Sequence, residues 1–133
     1  MELLFDTHVF LWGRLEPERI TSDVAGELED PSNGLWLSPI SVWEILVLAE
    51  KGQVTLQPSA PVWIETALRE VQPREASLNH QVALLSRSLN LPREAPVDRF
   101  LAATAAVYDL TLVTADGRLI DGSGYSVLPC TRS

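Results

Sequence analysis

Four carboxylates, Asp6, Glu44, Asp98 and Asp116, each interrupt or end an apolar stretch: Leu3-Leu4-Phe5-Asp6, Val42-Trp43-Glu44-Ile45-Leu46, Pro96-Val97-Asp98-Arg99-Phe100 and Leu112-Val113-Thr114-Ala115-Asp116. Stretches of this kind pack a core, and an unpaired charge taken into one is costly. Brought together, the four acids would repel one another unless a cation stood among them. Carboxylate oxygens are hard ligands suited to Mg²⁺ or Mn²⁺, whereas zinc more often takes His or Cys. The pattern points to a metal site assembled from distant segments.

Each acid also has an ordinary reading. Asp6 could cap a helix beginning at Thr7, a role that contributes ~1 kcal/mol. Asp98 falls in the first turn of a helix, where the macrodipole favours a carboxylate, and Asp116 before Gly117 suits a turn. Glu44 is harder to place, because its helical neighbours three and four positions away are Ile40, Ser41, Val47 and Leu48. A mid-helix ion with such company needs a partner from elsewhere in the chain or a divalent cation. Thr114, two residues before Asp116 on an extended strand, could orient a carboxylate or water through its hydroxyl, or simply be a β-branched strand residue.

The elements that must carry these groups follow from periodicity and punctuation. Residues 2–5 read as a buried strand, with Asp6 turning into a helix that carries Val9, Phe10 and Trp12. A second helix starts near Ser22. After the turn at 30–34, Leu35-Trp36-Leu37 reads as a strand, and Ser38-Pro39 opens a helix ending near Gly52. Helices are expected over 60–71 and 79–89, with a short edge strand at 76–78 between them. Pro96 opens a helix to about Tyr108, Leu110 to Thr114 is the clearest strand, and Tyr125 to Leu128 the last. Strands alternating with helices imply an α/β fold, with a central, mainly parallel sheet of four or five strands between helical layers. Ligands of such sheets bind beyond the carboxyl ends of the strands, where Asp6 and Asp116 would lie.

Composition bounds the rest. At 133 residues, with 46% apolar and 21% charged, the chain suits a single domain spanning residues 1–133. No apolar run approaches the ~20 residues of a membrane span, and the N-terminus lacks a secretory pattern, so a cytoplasmic protein is expected. Cys130 has no second cysteine to pair with and is expected to be inert. A net charge of -8 argues against non-specific adhesion to nucleic acid and favours a basic protein partner. His8 reads as a packing or substrate-edge residue and His80 as the start of an amphipathic helix. Of Trp12, Trp36, Trp43 and Trp63, Trp36 is assigned first to the core.

Taken together, Leu-Leu-Phe-Asp-Thr-His, Ser-Val-Trp-Glu-Ile, Val-Asp-Arg-Phe-Leu-Ala-Ala-Thr-Ala and Leu-Thr-Leu-Val-Thr-Ala-Asp resemble, in order and over nearly the whole chain, the PIN-domain family and its VapC-type toxins. The resemblance implies a three-layer α/β/α ribonuclease dependent on Mg²⁺ or Mn²⁺, with Asp6, Glu44, Asp98 and Asp116 as its acids and Thr114 as its accessory hydroxyl. Asp6, Asp98 and Asp116 would hold the metal, and Glu44 would accept a hydrogen bond or proton from the attacking water. Hydrolysis would leave 5′-phosphate and 3′-hydroxyl ends. Arg99 and Arg118 could contact RNA phosphates or serve instead as surface ion-pair partners. A small antitoxin covering the site near Trp12 and Trp43, and a homodimer, are also implied.

One departure stands out: where the family often reads Asp-Pro-x-Asp-Arg, this chain has Ala95-Pro96-Val97-Asp98-Arg99. The missing acid would act chiefly as a helix cap, so its loss should cost ~0.5–2 kcal/mol of local stability and not chemistry. A haloacid-dehalogenase-type phosphatase would need an acid where His8 stands, and a receiver domain would need a late lysine, whereas Lys51 is the sole lysine. An RNA-processing nuclease of the same fold, or an inactive PIN domain serving as a binding module, are the remaining alternatives.

Overall fold

The computed structural model describes residues 1–92 and 94–131. Its five strands are β1 (Glu2–Phe5), β2 (Gly34–Leu37), β3 (Arg74–Glu75), β4 (Thr111–Thr114) and β5 (Ser126–Pro129). They form one sheet in the order β3-β2-β1-β4-β5, and every neighbouring pair is parallel. The helices are α1 (Thr7–Leu15), α2 (Ser22–Glu29), α3 (Pro39–Glu50), α4 (Ala60–Val71), α5 (His80–Ser86), α6 (Pro96–Tyr108) and α7 (Gly117–Ile120). A 3₁₀ turn at Pro17–Arg19 links α1 to α2.

Alternation along the central strands produces two cores. Leu3 and Phe5 of β1 with Val113 of β4 pack against Val9, Phe10 and Leu11 of α1, Val24 of α2, Ile45 of α3 and Ile64 of α4. Leu4 and Leu112 face the opposite way, against Leu101, Ala102 and Ala105 of α6 and Leu119 of α7. Side chains one residue apart thus serve opposite layers, as the period of two in a strand requires. This is the expected three-layer α/β/α arrangement.

Strand order reverses between β1 and β4. The chain leaves β1 toward β2 on one side and leaves β4 toward β5 on the other, which opens a crevice at their carboxyl ends. Asp6 follows β1 directly, and Asp116 follows β4 after one residue.

Several local expectations shift. The edge strand lies at Arg74–Glu75 and not at 76–78, with the Ala76 N–H adding one further bond to the Leu37 carbonyl at 3.0 Å. Helix α5 stops at Ser86, well before residue 89. Helix α7 was unforeseen, being one short turn after Asp116-Gly117. Trp36 packs against the second core without being enclosed by it. It lies half-buried beside Tyr108, its indole N–H donating to Glu2 Oε1 at 2.8 Å. A strand near the sheet edge leaves one side of so large a ring in solvent, and its N–H needs a partner there.

Candidate active site

The crevice at the switch point is a cleft of about 480 Å³ lined by Asp6, Glu44, Asp98 and Asp116, together with His8, Trp12, Glu94 and Arg118. All four acids singled out in the sequence therefore share one space.

Asp6 is positioned by the sheet. Its N–H donates to the Val113 carbonyl at 2.9 Å, extending the β1–β4 pairing by one residue. That register sets its carboxylate beside Thr114, whose hydroxyl donates to Asp6 Oδ2 at 2.7 Å. Although Asp6 stands at the N-cap of α1, its side chain makes no capping bond; the helix-cap reading fails here. The residue is 7% exposed, and burial raises the pKa of its carboxyl. The Thr114 hydroxyl and His8 oppose that rise, while the charges of Glu44 and Asp116 add to it.

Thr114 itself is fully buried, and its oxygen also accepts from the Asp116 N–H at 3.1 Å. One hydroxyl thus ties the acid after β1 to the backbone after β4. It acts as a positioning group beneath the cleft.

Asp116 behaves differently from Asp6. Its Oδ1 accepts from the Arg118 backbone N–H at 2.9 Å, capping α7, so its ordinary reading holds in part. Arg118 Nε reaches the same oxygen at 3.3 Å, and Nη2 reaches Oδ2 at 3.0 Å. Hydrogen bonding from Arg118 holds the Asp116 carboxyl below its usual range.

Asp98 comes from the first turn of α6, whose N-cap is Ala95 with no side-chain bond. Its carboxyl is pushed up to about 6, chiefly by burial and then by the charges of Asp6 and Asp116, against a smaller opposing pull from Arg118. Arg118 Nη2 lies 3.2 Å from Asp98 Oδ2. The guanidinium therefore bridges two of the acids.

Glu44 projects from the second turn of α3. Helix α3 is tied to α1 beneath the cleft by a buried bond in which the Thr7 hydroxyl donates to Ser41 Oγ at 2.9 Å. Among the described residues no hydrogen bond or ion pair holds the Glu44 carboxylate, yet its charge is felt by both Asp6 and Asp98. Trp43, the preceding residue, is 53% exposed.

Arg99 does not reach the cleft. Its side chain is buried, with Nε donating to the Ser86 carbonyl at 2.6 Å, Nη2 to Leu89 at 2.8 Å and Nη1 to Leu91. Three carbonyls at and beyond the end of α5 take up its donors, so the expected phosphate contact is replaced by a structural one. Glu94 and His8 line the cleft without having been chosen as site residues. For Glu94 the only available signal was its nearness to Asp98 in a Pro-rich entry segment.

The residue chemistry suits a hard divalent ion. The cleft gathers carboxylates that raise one another's proton affinity, and the cation it does contain, Arg118, sits between two of them. As they stand, no three His, Cys, Asp or Glu side chains among the described residues converge as ligands of one ion.

Residues 3–123 match the model of the PIN domain. The chain is 31% identical over 119 residues to Ribonuclease VapC22 of Mycobacterium tuberculosis, covering 88% of each chain. Among solved structures it resembles VapBC2 of Rickettsia felis bound to a promoter DNA fragment, with a TM-score of 0.71, 14% identity and 97% and 98% of the two chains covered. It also resembles a toxin–antitoxin complex from Klebsiella pneumoniae, with a TM-score of 0.65, 20% identity and 98% and 99% coverage. The acid-lined switch-point crevice and a family match over most of the length agree, and the chain belongs to the PIN-domain family.

Proposed function

We propose that this protein is a Mg²⁺- or Mn²⁺-dependent endoribonuclease and the toxin of a type II toxin–antitoxin pair, with residues 1–133 acting as one nuclease domain. The observation that carries the reading is the convergence of Asp6, Glu44, Asp98 and Asp116 on one cleft at the sheet's switch point. The curated relative is a ribonuclease by name, and a solved relative is a toxin–antitoxin complex.

In this reading Asp6, Asp98 and Asp116 hold the divalent ion, which when bound supplies charge neutralisation at the phosphate and acidifies water. Thr114 keeps the Asp6 carboxylate aimed into the cleft through its 2.7 Å bond. Glu44, unpaired among the described residues, takes the proton of the attacking water. The water oxygen bonds to phosphorus, the bond from phosphorus to the 3′-oxygen breaks, and that oxygen leaves as an alkoxide that takes a proton from solvent to become the 3′-hydroxyl. The products carry 5′-phosphate and 3′-hydroxyl ends. Arg118, at the mouth of the cleft, is the side chain placed to meet a phosphate.

The half-buried Trp12 lines the cleft and the exposed Trp43 precedes Glu44 in α3, and large aromatic rings of this kind anchor protein contacts. A small antitoxin bound there would cover the cleft, and the net charge of -8 favours a basic one. We also assign a homodimer and a cytoplasmic location; no helix among the described residues is long and apolar enough to cross a membrane.

The test compares the purified protein with Asp6→Asn on total RNA in Mn²⁺, Mg²⁺ or chelator, with the cleaved ends mapped. Cleavage that requires metal, leaves 5′-phosphates and disappears in a folded Asp6→Asn variant is expected. Undiminished cleavage by that variant, or cleavage in chelator, would overturn the proposal.

A further inference from the structure

Arg118 is the only Arg or Lys among the described residues lining the cleft, and it engages the acids more fully than a surface ion pair would. Its backbone N–H and Nε share Asp116 Oδ1, while Nη2 spans Asp116 Oδ2 and Asp98 Oδ2 at 3.0 and 3.2 Å. Both oxygens of Asp116 and one of Asp98 are therefore occupied by a single residue.

These are two of the three carboxylates assigned to the metal. A Mg²⁺-sized ion binds oxygens at roughly 2.1 Å. Each oxygen directed at the guanidinium has one lone pair fewer to offer such an ion, and the positive charge held beside it repels the incoming cation. That the described acids do not converge on one point fits this arrangement, since Asp98 and Asp116 are set around the planar fork and not around a sphere. The Arg118 side chain is itself 56% exposed. No other hydrogen bond holds its guanidinium among the described residues, so it can turn outward without breaking the core.

We propose that Arg118 is a built-in counterion that occupies the cation position between Asp98 and Asp116 and competes with the divalent ion for it. Arg118 is a positioning residue in this role: it organises the acids before the metal arrives and must swing away for the metal to bind. The inference rests on the metal-binding reading of those acids given above.

The experiment measures Mn²⁺ affinity directly, by calorimetry and by the loss of the free-ion electron paramagnetic resonance signal, with no RNA present. Wild type, Arg118→Gln, Arg118→Lys, Asp98→Asn and Arg14→Gln are compared, each checked for folding by circular dichroism. Arg14 pairs with Glu70 outside the cleft, so its variant removes the same charge from elsewhere. Two partly exposed ion pairs are lost in Arg118→Gln, so Mn²⁺ should bind about three- to tenfold more tightly. Arg118→Lys, which keeps the charge but not the fork, should fall between it and wild type. Arg14→Gln should match wild type, and Asp98→Asn should bind more weakly.

If Asp98→Asn weakens binding while Arg118→Gln binds no more tightly than wild type, the competition is refuted and the metal site stands. An equal gain in Arg14→Gln also refutes it, by reducing the effect to net charge. If wild type binds no Mn²⁺, or Asp98→Asn binds it undiminished, both the competition and the metal-binding reading fall.

Discussion

Asp98→Asn should make the metal-free protein more stable while destroying its activity. The carboxyl of Asp98 is raised from 3.8 to about 6, so between those values the native state binds more protons than the unfolded chain. Stability therefore falls as pH rises through that window, and the deficit is complete above it. At about 1.4 kcal/mol per pKa unit, the full shift corresponds to about 3 kcal/mol. The side chain keeps 20% of its exposure, and solvent screening reduces the figure to about 1–2 kcal/mol.

Asparagine retains the carbonyl that Arg118 contacts and removes the charge. For 133 residues, the gain corresponds to a melting temperature higher by about 4–7 °C. Thermal melts in chelator should show that gain at pH 7.5 and little of it at pH 4, where Asp98 is protonated in the wild type. Mn²⁺ at 100 times its dissociation constant should reverse the order, stabilising the wild type by about 2.7 kcal/mol. A variant that melts at or below the wild-type temperature in chelator at pH 7.5 would refute the idea that burying this charge, beside other acids, is a cost carried by the fold.

Two further outcomes follow from the hydrogen bonds. Thr114→Val preserves shape but removes the hydroxyl shared by Asp6 and the Asp116 N–H. It should destabilise the protein by about 1–3 kcal/mol in urea unfolding, and RNA cleavage should fall with it. Arg99→Met leaves the carbonyls of Ser86 and Leu91 without their donor and takes from Leu89 one of its two, and should cost about 2–4 kcal/mol. If Arg99→Met instead unfolds like wild type but loses cleavage, Arg99 contacts substrate after all.

The acids were legible because each breaks a hydrophobic pattern that is itself strong. β1 and β4 are short apolar strands, so a carboxylate within two residues of their ends has few places to go but the sheet's carboxyl edge. The helices over 60–71 and 96–108 were equally clear, since Pro near the start of each marks its first turn. What escaped depends on contacts distant in sequence or on elements too short to have a period. A two-residue strand such as Arg74–Glu75 shows no alternation, and the one-turn α7 no helical face. Arg99 was misread for a different reason: an arginine beside a site acid looks like a phosphate ligand. Nothing local reveals that three carbonyls between residues 86 and 91 wait for it. Arg118 was found, but its attachment to Asp98, twenty residues away, was not.

The buried clamp at Arg99 also explains how α6 manages without the side chain that often begins such a helix. Ala95 offers the first turn no acceptor, and the guanidinium four residues on fastens that turn to the preceding loop instead. Asp98 is the immediate neighbour of that fastener, so its bearing toward the cleft is inherited from the bolt beside it. One residue inserted between the two would turn them apart by about 100°. The dipeptide works as an indivisible hinge pin, and an enzyme redesigned around this cleft would have to transplant both halves together.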